Sequence, residues 1–258
     1  MKIVILGLGN IAHYFCTQLS DNKEFKIIQA YGRDSQKGIV FQNKFNIPVV
    51  HNINDLSLDA DIYIFAIKDN AISSLSSQIN RENAIAIHCA GSQSLNLLEQ
   101  TSKRNAIIWP IYSINKQSQY SSKIPLIIDA SAPEVEKDVM SLAKAVSENT
   151  QIVGFDQRQY LHLNAVLVNN FSNHLFSIAE RLSEEHHLDF EILKPIIQQT
   201  IQNLNIAKPY EMQTGPAKRH DEITMEKHLE LIDNHPEWQN LYKTLSTSIQ
   251  LMYPIEKI

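Results

Sequence analysis

Apolar and polar residues alternate along the first 150 positions in a way that predicts strands and helices in turn. Amphipathic stretches separate short apolar or β-branched runs at 3–6, 25–31, 48–51, 61–67, 84–89, 106–111 and 126–130. A strand that is apolar throughout is covered on both faces, as strands of a parallel sheet are. A helix over 134–146 and a short strand over 151–153 complete this region. The pattern predicts a doubly wound, mostly parallel α/β sheet.

The pattern changes after residue 156, where long helical periodicities replace the short β-branched runs. Apolar residues recur at helical spacing over 157–187, 192–205, 224–234 and 237–252. No internal repeat, low-complexity tract or long linker interrupts the sequence. We therefore predict an α/β domain at 1–155 and an all-helical domain at 156–258, joined through the first long helix.

The first strand turns directly into a helix through closely spaced glycines. Gly7 permits a tight turn, Gly9 lets the backbone approach a ligand, and Ala12 allows the helix to pack closely on the strand. The helix begins at Asn10 and Ile11, and its unpaired N–H groups and positive dipole end suit a pyrophosphate. These features form a dinucleotide-binding fingerprint, typical of a Rossmann-type fold.

The end of the second predicted strand indicates which dinucleotide is bound. NAD enzymes usually have an acidic residue there, whereas this sequence reads Gly32, Arg33, Asp34. A guanidinium pairs with the 2′-phosphate of NADP, and a carboxylate aimed at that phosphate repels it. We expect NADP. NAD is the less favoured alternative because Asp34 is also present. The structural alternative is that Arg33 and Asp34 are solvated loop charges.

Two further loops follow strands at the same edge of the predicted sheet. They contain Ala66, Ile67 and Lys68 after the fourth strand and Ala90, Gly91 and Ser92 after the fifth. Open α/β sheets bind ligands at the carboxyl ends of their strands, so we expect these loops to line the ribose and nicotinamide. Residues 109–112, at the end of the next strand, are a candidate wall of the same cleft. Ordinary turn chemistry is the alternative explanation.

The first long helix is apolar on nearly every side, which predicts a central, buried helix. It nevertheless carries His162, Asn169 and Asn173 at helical spacing, with Asn170 beside them. Buried polar side chains need hydrogen-bond partners. We expect these residues either to bind substrate in the cleft or to form hydrogen bonds between helices or across a dimer interface.

A second unusual segment combines a Thr-Gly-Pro turn at 214–216 with closely spaced charges. Arg219 is a candidate for binding a substrate carboxylate, and His220 or His228 for donating a proton near neutral pH. The structural alternative is that Asp221 simply caps the next helix.

Composition and charge narrow the class of protein. Hydrophobic residues make up 43% of the 258, and 28 acidic against 23 basic residues give a formal net charge of −5. This charge provides no field for nucleic acid or an anionic membrane, so we expect neither partner. The apolar runs are too short for a signal peptide or a membrane span, and Cys16 and Cys89 imply no disulfide framework. A cytoplasmic protein is expected.

Metal-dependent and hydrolytic chemistry receive no support from the sequence. The ten histidines are scattered, and the sequence has no His-Glu-x-x-His arrangement, calcium-type acidic cluster or Gly-x-Ser-x-Gly elbow. We therefore expect no bound metal.

Taken together, these motifs resemble a known family. The N-terminal fingerprint, Arg33, the loop at 68–69, residues 88–92 and the segment 214–221 are similar to NADP oxidoreductases that join a Rossmann-like domain to a helical domain of unknown function. Pyrroline-5-carboxylate reductase and the deazaflavin-dependent NADP oxidoreductases are similar in layout. The more specific part is the turn at 214–216 with Arg219, Asp221, Thr224 and His228. The family often has glycine between the arginine and the aspartate, where this chain has His220.

The resemblance implies a helical domain that dimerises and an active cleft between the sheet edge and the helices. It does not supply a substrate, and two functions fit. One is hydride transfer between NADP and a small C=O or C=N compound, for which the protein supplies hydrogen-bond donors and a proton source. The candidate catalytic residues are His162, Asn169, Asn170, Arg219 and His228.

The other function is a non-catalytic module that binds NADP and reports cofactor state to a partner or through its dimer interface. It is favoured by the absence of an unambiguous acid–base residue from the sequence. Fold analogy does not choose between the two functions.

Overall fold

The computed structural model describes residues 1–114 and 123–255. The chain divides into two compact units, Met1–His174 and Leu175–Ile258. The boundary predicted from the sequence lies at residue 155, and the helix that begins there contributes its first part to the first unit.

The first unit contains an eight-stranded sheet in the order β3-β2-β1-β4-β5-β6-β7-β8. The strands are β1 (Lys2–Leu6), β2 (Lys26–Tyr31), β3 (Val49–Val50), β4 (Ile62–Phe65), β5 (Ile85–His88), β6 (Asn105–Pro110), β7 (Leu126–Ala130) and β8 (Thr150–Ile152). All neighbours are parallel except β6 and β7, which pair antiparallel. The predicted mostly parallel Rossmann-type sheet is confirmed.

Helices cover both faces of this sheet, as its apolar strands require. They are α1 (Asn10–Gln18), α2 (Ser35–Phe45), α3 (Asp69–Ser76) and α4 (Pro133–Val146), with 3₁₀ turns at Ile53–Asp55 and Leu95–Leu98. Within β1, Ile3 and Ile5 pack in a core with α1, α2 and α4, whereas Val4 and Leu6 pack in a second core with α3. This alternation follows from the two-residue period of a strand.

The strand order reverses between β1 and β4. The chain passes from β1 outward to β2 and β3, then crosses back to β4 on the other side of β1. At such a switch point the loops at the carboxyl ends separate and leave room for a ligand. The predicted fingerprint therefore lies where this fold class binds ligands.

A long helical stretch begins at Phe155. It consists of α5 (Phe155–Ala165), a π-helical turn (Val166–Phe171) and α6 (Ser172–Glu185). The prediction that it is buried is wrong, because Val168 is 74% exposed and Phe171 55% exposed. An all-round apolar pattern indicates that something covers a helix, but it does not indicate whether that partner belongs to the same chain.

The second unit is helical, as predicted. After α6 it contains a 3₁₀ turn (Phe190–Leu193), α7 (Lys194–Asn203), α8 (Pro209–Met212), α9 (Glu222–Leu231) and α10 (Pro236–Met252). His235 fastens α6 to the start of α10, because its Nε2 lies 2.8 Å from Glu185 Oε2 and its ring stacks on Trp238. Across residues 1–114 and 123–255, no helix has the length and apolar character needed to cross a membrane.

Candidate functional site

The turn between β1 and α1 is built around Gly7. Its φ is 122°, and a Cβ atom there would lie 2.2 Å from the carbonyl oxygen of Ala66. The Gly7 N–H donates to Tyr31 O at 2.8 Å, and the Ala66 N–H donates to Leu6 O at 2.8 Å. Only glycine fits both the dihedral angle and the close approach, so the turn is fixed at the switch point.

The N-terminus of α1 fits a bound phosphate group. Gly9 is the N-cap residue and offers no side-chain cap, and the first turn contains no acidic residue. The first backbone hydrogen bond of the helix runs from His13 N–H to Gly9 O at 3.0 Å. The N–H groups of Asn10, Ile11 and Ala12 come before it and therefore have no acceptor within the helix. A Cβ atom on Gly9 would meet nothing within 4 Å. Donors and open space therefore coincide at this helix end.

The two charged residues after β2, Arg33 and Asp34, have different environments. Asp34 caps α2: its Oδ1 accepts from Lys37 N at 3.0 Å, and this hydrogen bond lowers the pKa of the carboxyl group. Arg33 is exposed beside it. A Cβ atom on Gly32 would lie 2.3 Å from Leu8 Cδ1, so any larger residue there would have to displace the Leu8 side chain. The carboxylate is thus engaged in the helix cap, and the guanidinium lies at the surface.

The loop after β4 lies against the fingerprint and the loop after β5. Ile67 Cγ2 lies 3.0 Å from the position of a Cβ atom on Gly7, and exposed Lys68 is the N-cap residue of α3. The following carboxylate, Asp69, acts electrostatically on Cys89, whose thiol pKa is raised mainly by burial. The two predicted loops are therefore neighbours at one edge of the sheet.

His88, the last residue of β5, supports the loop that follows this strand. It is fully buried; its Nδ1 accepts from the Ala90 N–H at 3.2 Å, and its Nε2 lies 3.2 Å from Ser94 O. This pairing requires the neutral tautomer with the proton on Nε2. Burial lowers the pKa of His88 to about 4, and the nearby positive charge of Arg158 acts in the same direction. The imidazole is a fixed structural support at neutral pH.

Gly91 connects this loop to the end of β6. A Cβ atom on Gly91 would lie 2.3 Å from Trp109 Cε2, so the backbone packs flat against the indole. The His162 ring lies on the same indole, with ring centroids 5.6 Å apart. The structure therefore brings His162 to the carboxyl edge of the sheet, beside the predicted wall at 109–112.

Three successive carbonyl groups of this loop are held by α5. Arg158 Nη1 donates to Gly91 O at 2.6 Å and to Gln93 O at 2.7 Å, and Gln159 Nε2 donates to Ser92 O at 2.7 Å. Sequence reasoning missed both side chains. The sequence signal for them was two adjacent polar residues near the start of a helix predicted to be buried. A cation is unusual at that position because the helix dipole disfavours it.

The π-helical turn carries Asn169 and Asn170, both of which are exposed. The expectation of a buried polar seam is therefore wrong, and the wider turn also changes the spacing from which that seam was read. Asn169 Nδ2 donates to Ser113 Oγ at 2.7 Å, and Asn10 Nδ2 donates to Ile114 O at 2.9 Å. The predicted fingerprint and the predicted helix residue thus bind adjacent residues after β6.

In the second unit, the segment 213–221 forms a strained turn followed by a capped helix. Gly215 has a φ of 102° and His220 a φ of 54°. Asp221 caps α9, because its Oδ1 accepts from Thr224 N at 3.1 Å and its Oδ2 from the Thr224 hydroxyl at 2.7 Å. The structural interpretation of Asp221 is confirmed. Arg219 is exposed.

An apolar groove of about 290 Å³ lies next to this turn, within the second unit. His228 and Tyr242 face it together: His228 Nδ1 lies 2.8 Å from the Tyr242 hydroxyl. Burial raises the pKa of Tyr242, so the phenol stays protonated, and the tautomer of His228 decides which of the two groups donates. The groove is lined by Thr214, Gly215, Pro216, Ala217, His228, Tyr242, Leu245, Ser246 and Ile249.

Comparison with known proteins agrees with the two-part layout. A family described as NADP oxidoreductase, coenzyme F420-dependent, matches residues 2–91, and a domain of unknown function (DUF2520) matches residues 124–249. A Bacteroides fragilis protein assigned provisionally to the NADP oxidoreductases is 31% identical, with a TM-score of 0.89 over 96% of this chain and 97% of that one. This chain belongs to that NADP oxidoreductase family. The prediction of NADP as the cofactor is confirmed with it.

More distant structures share the fold of this chain. A 1-pyrroline-5-carboxylate reductase from Streptococcus pyogenes is 14% identical, with a TM-score of 0.65 over 97% of this chain and 98% of that one. A reductive aminase from Aspergillus terreus, solved with NADPH and ethyl levulinate, is 15% identical, with a TM-score of 0.71 over 98% and 94%. No curated protein matches the chain.

Proposed function

We propose that this NADP oxidoreductase transfers a hydride between NADP and a small carbonyl or imine compound. The observation that carries the proposal is that two candidate catalytic residues and the predicted cofactor loops lie at the same edge of the sheet. His162 lies on Trp109 and Asn169 binds Ser113, next to loops that surround an uncapped helix end suited to pyrophosphate. Reductases of imines and of a pyrroline carboxylate among proteins of the same fold support this substrate class.

The cofactor site follows from the loops at the switch point. Gly9, Asn10, Ile11 and Ala12 hold the pyrophosphate through backbone N–H groups, and Gly7, whose own N–H donates to Tyr31 O, forms the turn that places them. In the segment 32–34, Gly32 admits the close packing, Arg33 pairs with the 2′-phosphate, and Asp34 supports the loop by capping α2. Residues 66–68 and 90–92 line the ribose and nicotinamide. The bound cofactor supplies or accepts the hydride.

The remaining chemistry is polarisation and protonation of the substrate. Reduction of C=O or C=N places negative charge on the heteroatom, which must be hydrogen-bonded and then receive a proton. Asn169, which is hydrogen-bonded to Ser113 at the sheet edge, and its neighbour Asn170 supply amide donors, and His162 supplies the proton. Trp109 holds the His162 ring in place.

Within the second unit, the groove beside the turn is by itself a candidate binding site for a small molecule. Its lining is mostly apolar and suits the hydrocarbon part of a small substrate. His228, hydrogen-bonded to Tyr242, is a proton donor for a ligand in this groove. Arg219 lies outside the lining residues and is available for a substrate carboxylate.

The exposed apolar helix faces support a homodimer. Leu163, Leu167 and Phe171 are each about half exposed and follow one another at four-residue steps. Exposed apolar surface of this kind marks protein interfaces. We propose that a second copy covers the helical region, and sedimentation of wild type and Leu167→Glu tests this: a dimer that dissociates in the variant is expected, and a wild-type monomer contradicts it.

The activity itself is tested by NADPH oxidation in a screen of small ketones, aldehydes and cyclic imines. Turnover of at least one compound, reduced at least tenfold in Asn169→Ala with NADPH affinity nearly unchanged, supports the proposal. Tight NADPH binding with no turnover across the screen favours the non-catalytic module instead.

A further inference from the structure

Arg158 is a fully buried arginine whose contacts converge on one loop. Its Nη1 donates to Gly91 O and Gln93 O, and its Nη2 lies 3.0 Å from Asp129 Oδ2. Among residues 1–114 and 123–255, its Nε has no hydrogen-bond partner. The guanidinium is therefore held by its two terminal nitrogens, one toward the loop and one toward Asp129 on β7.

Burying an arginine in this way lowers the stability of a protein unless the side chain also holds a neighbouring segment in one conformation. Removing a guanidinium from water costs several kcal/mol, and apolar residues of similar volume often stabilise a core equally well. The position near the N-terminus of α5 adds an unfavourable dipole interaction. The buried arginine therefore stabilises a particular loop conformation rather than the core in general.

Arg158 fixes the direction in which the backbone N–H groups of the loop after β5 point. Arg158 and Gln159 together turn the carbonyl groups of residues 91–93 toward α5. In a trans peptide the carbonyl and the next N–H point in opposite directions. The N–H groups of residues 92–94 consequently point away from α5. That of Gln93 donates to Ala90 O at 3.5 Å within the loop, and those of Ser92 and Ser94 lie in the loop that we propose lines the nicotinamide half of the site.

We propose that Arg158 is a positioning residue for the nicotinamide half of NADP, with Asp129 orienting it and Gln159 holding the third carbonyl. This inference rests on the proposed cofactor site. Within the part of the chain that the structure describes, no hydrogen bond or ion pair joins Arg158 to residues 7–12 or Arg33, which we propose hold the pyrophosphate and the 2′-phosphate. The two halves of the cofactor therefore depend on Arg158 to different extents.

The test compares NADPH with adenosine 2′,5′-bisphosphate, which carries the adenine half and the 2′-phosphate but no nicotinamide. Binding of both is measured by calorimetry on wild type, Arg158→Met and Arg158→Lys. Arg104→Met is the matched control, because Arg104 also pairs with an aspartate, Asp138, and a carbonyl group, that of Asn83, away from the loop. Loss of the charged hydrogen bonds predicts about a tenfold loss of NADPH affinity in Arg158→Met and less in Arg158→Lys. Binding of the bisphosphate stays within about twofold, and Arg104→Met changes neither ligand.

A milder variant covers the event that Arg158→Met does not fold. Gln159→Ala removes only the bond to Ser92 O from a half-buried side chain. It is expected to weaken NADPH severalfold and to leave the bisphosphate unchanged. NADPH binding at wild-type affinity in the folded variants overturns the inference, as does equal weakening of both ligands. If wild type binds neither ligand, the proposed cofactor site fails and this inference with it.

Discussion

The backbone of Gly91 lies against the indole of Trp109 so closely that a Cβ atom would come within 2.3 Å of Cε2. The loop after β5 and the end of β6 are thereby locked together, and the same indole contacts His162. The position of His162 at the sheet edge depends on a residue without a side chain.

Gly91→Ala should destabilise the first unit by about 1–3 kcal/mol, because the indole must shift to make room. Urea unfolding measures the loss. Trp109→Leu provides the control, since it removes the aromatic ring that clashes, and the alanine should cost less in that background. An equal cost in both backgrounds would show that the close approach is not the cause.

Gly9→Ala should separate cofactor binding from folding. The added Cβ atom meets no protein atom within 4 Å but occupies the space beside the first N–H groups of α1. Stability should fall by at most about 1 kcal/mol, the cost of a poorer N-cap. NADPH affinity, measured by fluorescence, should fall at least about tenfold because the pyrophosphate loses its close approach to the backbone. Wild-type affinity in this variant would place the pyrophosphate elsewhere.

The fold could be predicted from the sequence largely because its signals are local. Buried parallel strands are short apolar runs, and the glycines at 7 and 9 have a fixed relation to the strand before them. The N-cap role of Asp221 was foreseeable for the same reason, since its partner Thr224 lies three residues away.

The missing parts of the site depend on contacts that are distant in sequence. Arg158 binds carbonyl groups 67 and 65 residues earlier, and no local pattern links those positions. The π-helical turn at 166–171 and the exposure of the helix were also hidden, because an apolar helix has the same composition whichever chain covers it.

His88 should make stability depend on pH in the acidic range. Burial lowers its pKa to about 4 in the folded protein, so between pH 6.5 and 4 the unfolded chain binds a proton that the folded chain does not. Stability is therefore complete above about pH 6.5 and decreases as the pH falls, by as much as about 3 kcal/mol from this group. His88→Gln, which keeps a donor and an acceptor, should reduce this dependence in urea unfolding at pH 7 and 4.5. Identical pH dependence in both proteins would contradict the assignment.

Replacing His220 by glycine should reduce stability less than replacing it by alanine. Its φ of 54° lies in the left-handed region, and its Nε2 lies 3.0 Å from Tyr253 O. Glycine and alanine both lose the hydrogen bond, but only glycine relieves the backbone cost, so His220→Ala should be less stable than His220→Gly by about 1 kcal/mol. Thermal unfolding compares the two variants. Equal stability would mean that the backbone at 220 relaxes without glycine.

The most direct test of the cofactor site is a fluorescence titration of wild type and Arg33→Ala with NADPH and NADH. Wild type should bind NADPH more tightly than NADH, and Arg33→Ala should lose about ten- to a hundredfold of NADPH affinity, as expected for charged hydrogen bonds to the 2′-phosphate. NADH affinity should be unchanged in the variant. Equal binding of both nucleotides by wild type, or equal weakening of both in Arg33→Ala, would contradict the role assigned to Arg33.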